Sequence, residues 1–273
     1  MELFDLTDRV ALVSGTASGM GQAMATVFAE AGAHVVLLDV NTAGNEATAH
    51  TLAKLGHRAI PLTCDVSNYE QIDQVYALID KEFGRIDILG NVAGNGIQKA
   101  AEEITMTEFV GVFQNLVFGR YYSTQQAGRR MLRQGKGSIM SIGSISGVTS
   151  LARQQSTYGM AMAAVIHMTK ELSTEWSGRG VRVNAILPAQ VVNPNNGLEA
   201  RMEREPVLRD TFLHGIPRGR FGRSEDIKGL ALWLASDAAS WITGAIIPMD
   251  GGNLAMNGGG GFIDRPTEHN LAV

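Results

Sequence analysis

Cysteine is nearly missing. The 273-residue chain has one, Cys64, so no disulfide can form within it, and the reducing cytoplasm is the expected setting. Cys64 stands inside an apolar run and reads as a small buried hydrophobe rather than a nucleophile. Charge of either sign is in no excess: the net charge of -4 gives no reason to expect nucleic acid or a membrane surface as partner. No apolar run approaches the roughly 18 residues a membrane span needs. The opening MELFDLTDRVALV has neither the basic segment nor the long apolar core of a signal peptide. Internal linkers, repeats and low-complexity segments are missing as well. One α/β domain over 1–273 is therefore expected, although the length also allows two.

What is present is alternation. Short apolar runs (RVALVSG, HVVLLDV, RAIPLTCDV, IDILGNVAG, GSIMSIGSISG, VRVNAILPA and AIIPMDGG) are separated by helical patterns. The patterns fall at 21–32, about 42–55, YEQIDQVYALIDKEFG, about 107–134, about 157–178 and SEDIKGLALWLAS, the last with Ser224 as N-cap. Pro61 weakens the middle of the third run as a strand. Nearly continuous apolar strands alternating with helices predict about seven parallel strands in a doubly wound sheet, with helices on both faces. Residues 189–223 exceed an ordinary connection and are expected to be functional. The glycine-rich 257–273 reads as a tail.

The first strand runs into SGTASGMGQ, which places Gly15, Gly19 and Gly21 between strand and helix. Such a turn lets main-chain amides and a helix N-terminus face a pyrophosphate. The spacing is G-x-x-x-G-x-G, weak by itself but strengthened by its position after the first strand. Asp39 ends the second strand 24 residues after Gly15, where a carboxylate can bond both ribose hydroxyls of an adenosine. It would repel a 2′-phosphate, and no arginine or lysine stands at 38, 40 or 41, so NAD is expected over NADP.

These residues resemble the short-chain dehydrogenase/reductase family over almost the whole chain. The glycine turn matches T-G-x-x-x-G-x-G with Ser14 for threonine. CDV resembles the segment whose Asp65 and Val66 hold adenine. NVAG, Asn91 to Gly94, matches N-N-A-G with Val92 for asparagine. RVNAILPAQVVNP is similar to R-V-N-x-I-x-P-G-x-x-x-T-P, with Ala189 and Asn193 as departures, and MDGG fits the closing strand. Asn115, Ser144 and Tyr158 fall on the family's active-site asparagine, serine and tyrosine.

The resemblance implies a Rossmann-like domain that binds NAD through Gly15, Ser18, Gly19, Met20, Gly21, Asp39, Asp65, Val66, Asn91, Ala93, Gly94, Tyr158, Pro188, Val191 and Asn193. It also implies that Tyr158 is base in oxidation and acid in reduction, that Ser144 holds the substrate oxygen, and that Asn115 holds a water in a proton path. No metal is expected. A phenol ordinarily titrates near 10, so the family's tyrosine needs a nearby cation to ionise at neutral pH.

In the family that cation is a lysine four residues on. Here the position holds Met162, similar in length but without charge or N–H. Lys170 lies on another face, and Arg153 is the only nearby candidate, in a loop that more naturally faces substrate. A loss on the order of 10²-fold or more at neutral pH is expected. One near-isosteric neutralisation in an otherwise complete site reads first as an engineered lysine-to-methionine change. A natural member with altered chemistry, a natural non-catalytic NAD-binding protein, and a lyase or isomerase using Tyr158 without net redox change are the alternatives.

Arg153, Gln155 and Asn195, with Ser144 and Tyr158, are the expected substrate contacts. That polar rim suits a secondary alcohol of a sugar, polyol or sugar acid. The resemblance further implies a homotetramer built on the helices at 107–134 and 157–178 and on the last strand, with Ala161, Val165 and Met168 available to an interface or to the sheet. Phe262 to Arg265 are expected to help close a neighbour's pocket.

Overall fold

A computed structural model describes residues 2–151, 153–193 and 197–256. Asn195, the tail at 257–273 and the expected closure by Phe262 to Arg265 lie outside the described residues. The elements run β1 Val10–Ser14, α1 Gly19–Glu30, β2 His34–Asp39, α2 Thr42–Ala53, β3 Ala59–Thr63, α3 Tyr69–Glu82, β4 Ile88–Asn91, α4 Met106–Phe113, α5 Gly119–Gln134 and β5 Gly137–Ile142. They continue with α6 Ser156–Trp176, β6 Val181–Pro188, β7 Val191–Val192, α7 Leu198–Arg204, α8 Pro206–His214, β8 Gly222–Arg223, α9 Lys228–Ala235 and β9 Ile246–Met249.

Seven strands form one parallel sheet in the order β3-β2-β1-β4-β5-β6-β9. The order reverses between β1 and β4, which opens a crevice at their carboxyl ends where ligands of such sheets bind. Successive strand residues point to opposite faces. Ala11, Val13, Val35, Leu37, Ile88 and Met140 pack with buried residues of α1, α2 and α9. Leu12, Val36, Leu38, Leu89 and Ile139 pack with α3, α5 and α6 on the other side. Cys64 is buried in this second layer, as expected.

Pro61 does lie within a strand. β3 is the sheet's outer strand, so a residue without an N–H can be accommodated there, and Pro248 occupies β9 at the opposite edge.

Two local expectations are corrected. The helix over 107–134 is interrupted: residues Gln114–Phe118 form a π turn between α4 and α5. Such insertions are frequent at functional sites, and this one carries Asn115. Ser224 is not the N-cap of the following helix. It begins a 3₁₀ turn, its Oγ has no hydrogen-bond partner, and Asp226 Oδ2 instead accepts from the Arg223 N–H at 2.7 Å. The 189–223 connection holds α7 and α8 between β7 and β8, which pair with each other at Val191–Gly222 and Val192–Arg223.

Candidate active site

The glycine turn closes tightly over the switch point. Gly15 leaves β1 with φ 75°, and a Cβ there would lie 3.1 Å from Ala93 N. A Cβ on Gly21 would fall 2.1 Å from the Gly15 carbonyl oxygen, so the first turn of α1 can approach the strand only without a side chain. A Cβ on Gly19 would meet Asn193 Nδ2 at 2.2 Å, which shows how closely the residue after β7 reaches the turn. Ser18 is the extended N-cap of α1, and its hydroxyl makes no capping bond. The helix N-terminus and this serine are thus open to an anionic group. Met20 turns partly inward against the core, leaving its main chain to the crevice.

Asp39 stands beside this cradle. Its Oδ2 accepts from Ala17 N and its Oδ1 from Asn41 N, both at 2.9 Å. Asp65 is exposed after β3, with Oδ1 accepting from Ser67 N at 2.8 Å. The neighbouring Val66 presses its carbonyl onto α5, where a Cβ on Gly119 would fall 1.9 Å from the oxygen. Pro188 is buried at the end of β6, and Val191 is buried just beyond it.

Ser14 has a role beyond standing in for threonine. Its Oγ accepts from Val92 N at 3.0 Å and Ala93 N at 3.1 Å, stitching the end of β1 to the end of β4. Asn91 is buried, and its amide donates to Thr124 Oγ1 at 2.9 Å and Ser141 Oγ at 3.3 Å. Its side chain therefore ties β4 to α5 and β5.

The loop after β4 gathers the remaining groups. Gly94, at φ 137°, lies against Asn115 and Leu116. Asn115 Oδ1 accepts from Asn95 N at 3.1 Å, while its Nδ2 donates to the Gly111 carbonyl at 3.0 Å. A Cβ on Gly96 would come within 2.6 Å of the Tyr158 ring. Ser144 follows β5 and caps a 3₁₀ turn, Ile145–Gly147. Its Oγ accepts from Ser146 N at 3.2 Å and contacts Ser146 Oγ at 3.0 Å. That turn packs on the start of α6, since a Cβ on Gly159 would lie 3.2 Å from the Ser146 carbonyl. Asn115 and Tyr158 thus meet the loop after β4, Ser144 stands on the turn that packs on the start of the Tyr158 helix, and the Tyr158 hydroxyl bonds to no other described residue.

Met162 is 1% exposed and packs with Val112, Leu116, Ala161 and Val165, against which the Tyr158 ring also rests. It fills apolar space and supplies no charge. Ala161 and Val165 are wholly buried in the same cluster, so this face belongs to the chain's own interior.

Arg153 is the only nearby cation that sequence spacing suggests. Its guanidinium stacks over the Phe212 ring at 3.9 Å, its carbonyl accepts from Gln98 Nε2 at 3.2 Å, and burial lowers it from the ordinary arginine value. Gln155 precedes α6, its carbonyl accepting from Gly159 N at 2.9 Å. The structure adds a second cation that spacing misses. Arg120, 4% exposed, donates from Nε and Nη2 to Ala93 O at 3.3 and 2.9 Å, from Nη2 to Val92 O at 3.2 Å, and from Nη1 to Ile142 O. Burial pushes its guanidinium down to about 10, and Tyr158 acts in the opposite sense.

No group of three or more histidine, cysteine or acidic side chains among the described residues could hold a metal ion. No described helix is long and apolar enough to cross a membrane.

A family model described as enoyl-(acyl carrier protein) reductase matches residues 15–253. The NAD-dependent glycerol dehydrogenase of Listeria innocua is 36% identical over 249 residues, covering 91% of this chain and 95% of that protein. The D-threitol dehydrogenase of Mycolicibacterium smegmatis is 36% identical over 251 residues, covering 91% and 94%. Among solved structures, a putative NAD(P)-dependent gluconate 5-dehydrogenase from Beutenbergia cavernae with bound NADP matches with a TM-score of 0.87 at 33% identity, covering 93% of this chain and 100% of that one. The chain belongs to the short-chain dehydrogenase/reductase family, a class of oxidoreductases.

Proposed function

We propose that the protein is an NAD-dependent dehydrogenase that interconverts a secondary alcohol of a polyol, sugar or sugar acid with its carbonyl. The meeting of Asn115 and Tyr158 at the loop after β4, beside a glycine cradle and with Ser144 on the turn packed against the start of the Tyr158 helix, carries this reading. Relatives named for glycerol and D-threitol support the substrate class.

Three features of the crevice support NAD as the cofactor. The turn at Gly15, Gly19 and Gly21 is too close for side chains, Ser18 is uncommitted, and Asp39 is held beside the turn by Ala17 N, so its carboxylate would meet an adenosine ribose. Asp65 and Val66 would border the adenine. The main chain at Asn91, Ala93 and Gly94, with Pro188, Val191 and Asn193, would hold the nicotinamide half. When bound, the nicotinamide accepts or returns the hydride. Asp39 favours NAD because no cation adjoins it at 38, 40 or 41 to offset repulsion of a 2′-phosphate.

The chain's own residues supply alignment and the proton. Ser144 Oγ, at the end of β5, donates to the substrate oxygen and holds it near Tyr158. The Tyr158 oxygen takes the hydroxyl proton in oxidation and returns it in reduction. Asn115, fixed by the π turn, holds a water that passes the proton toward solvent. Arg153 and Gln155 contact the remaining hydroxyls. Met162 gives Tyr158 no cation and the ribose no donor, so turnover at neutral pH is slow relative to a form with lysine.

The single thiol suits the cytoplasm. Exposed apolar side chains on the outer face of α4 to α6, with Phe118 and Tyr121 beside a hollow of about 760 Å³, support self-association as a homotetramer.

The test is reduced-NAD formation from a panel of polyols and sugars, with Met162→Lys assayed alongside. Oxidation of one or more members, abolished by Tyr158→Phe, is the expected result. Tight NAD binding with no turnover in either form would instead make this a non-catalytic binding protein.

A further inference from the structure

We propose that Arg120 supplies the electrostatic half of the missing lysine's work, its buried guanidinium favouring the ionised form of the Tyr158 hydroxyl. This rests on the reading of Tyr158 as the acid/base group.

Arg120 faces inward by helical spacing. Arg120, Thr124, Ala127 and Met131 form one stripe of α5, and all four are buried. A buried arginine ordinarily pairs with a carboxylate, because an uncompensated charge in the interior is costly. Among the described residues, every hydrogen bond of this one ends on a main-chain carbonyl: Val92, Ala93 and Ile142. Carbonyls satisfy the N–H groups but leave the full positive charge unneutralised.

Those carbonyls also locate it. Val92 and Ala93 begin the loop that carries Gly96 to the Tyr158 ring and Asn95 to Asn115. Ile142 stands two residues before Ser144. The guanidinium therefore lies under the floor of the site, between the serine strand and the cofactor loop. A guanidinium lowered to about 10 by burial remains charged at neutral pH.

Three other cations near the site have partners of their own. Lys99, on the loop after β4, bonds Glu108 of α4 at 3.0 Å. Arg153, ahead of α6, stacks on Phe212 of α8. Arg201 of α7 bonds Glu205 at 3.2 Å and Gln98 at 3.3 Å.

The physical consequence is reciprocal. Ionisation of Tyr158 gives the buried guanidinium the anion it lacks, and the guanidinium favours that ionisation in a poorly hydrated floor. With its N–H groups turned to carbonyls, Arg120 is a poor donor to a ribose. It replaces one of the lysine's two functions and not the other.

The test is a spectrophotometric titration that needs no turnover. The phenolate absorbance of each protein, minus that of its Tyr158→Phe counterpart, isolates one phenol among the chain's 5 tyrosines. Arg120→Gln and Arg120→Lys both lose the fork, but only the glutamine variant loses the charge. The expected result is a Tyr158 midpoint about one pH unit or more higher in Arg120→Gln than in the parent, a tenfold change in ionisation, with Arg120→Lys close to the parent. Coincident midpoints for the glutamine and lysine variants overturn the proposal.

A second measurement keeps Arg120 in place, in case its substitution prevents folding. The stability difference between the parent and Tyr158→Phe must rise with pH through the phenol titration, because the unfolded chain then binds more protons than the folded one. A flat or falling difference also overturns the proposal. If the midpoint moves as expected while no polyol is oxidised, the dehydrogenase reading fails and the role of Arg120 stands. If polyols are oxidised but the midpoint does not move, the dehydrogenase reading stands and the role of Arg120 fails.

Discussion

Met162→Lys tests the active-site argument most severely, because it acts on stability and rate in opposite directions. Met162 is 1% exposed among Val112, Leu116, Ala161 and Val165. A lysine stem fits that space, but its ammonium must leave the apolar cluster for the Tyr158 side. Without bound NAD the substitution should cost about 1–3 kcal/mol, the usual range for a polar group brought inside with incomplete partners. With NAD and a polyol the rate at neutral pH should rise on the order of 10²-fold, the scale of one acid/base component.

The sign of the pH dependence follows from the charge. A new cation favours the phenolate, so the advantage is greatest where the phenol is otherwise protonated. It shrinks as pH passes the ordinary phenol range near 10. Initial rates of reduced-NAD formation from neutral to strongly alkaline pH measure this. A parent as fast as the variant at every pH, or a gain that grows with pH, refutes the reasoning. Since Arg120 already supplies charge, the gain should be larger in an Arg120→Gln background than in the parent, and a double-mutant cycle reads that coupling.

Three further outcomes are expected. Asp39→Ser removes the carboxylate that repels a 2′-phosphate and should improve NADP binding relative to NAD at least tenfold, about 1.4 kcal/mol, by calorimetric titration; unchanged preference removes Asp39 from the selection of cofactor. Cys64 is 1% exposed and its thiol is pushed up to about 11 by burial, so thiol reagents should leave it unmodified in the folded protein at neutral pH and alkylate it once the chain is unfolded. Glu108 is held down to about 2 by the Thr105 main-chain N–H, then by Lys99 and the Thr105 hydroxyl. Its contribution should be present above the ordinary carboxylate range near 4.3 and fade as pH falls toward 2, so the gap between parent and Glu108→Gln in thermal melts should close in acid.

Much of the fold was legible because strand and helix periods are local properties of the chain. All seven expected strands lie in the sheet, and Pro61 is explained by β3 lying at an edge, a fact that only topology supplies. The tight turn at Gly15, Gly19 and Gly21 was legible for a similar reason, since its glycines stand at a strand-to-helix junction. The π turn was not, since residues 106–134 keep a helical pattern on both sides of Asn115. Nor was Arg120. In GRYYST it reads like any solvated arginine, and only the packing of α5 on β4 and β5 turns it inward. Asn91 matched a motif, yet its side chain is spent on Thr124 and Ser141, which depends on the register of β4 against β5.

Hydride transfer itself is the central claim, and isotope transfer measures it most directly. The protein is mixed with NAD and glycerol or threitol deuterated at the secondary carbinol carbon, and the recovered nicotinamide is analysed by mass spectrometry. The account predicts one deuterium on the reduced nicotinamide, formed faster by Met162→Lys and lost with Tyr158→Phe. Unlabelled nicotinamide across the whole polyol and sugar panel, from a protein shown to bind NAD, would contradict it.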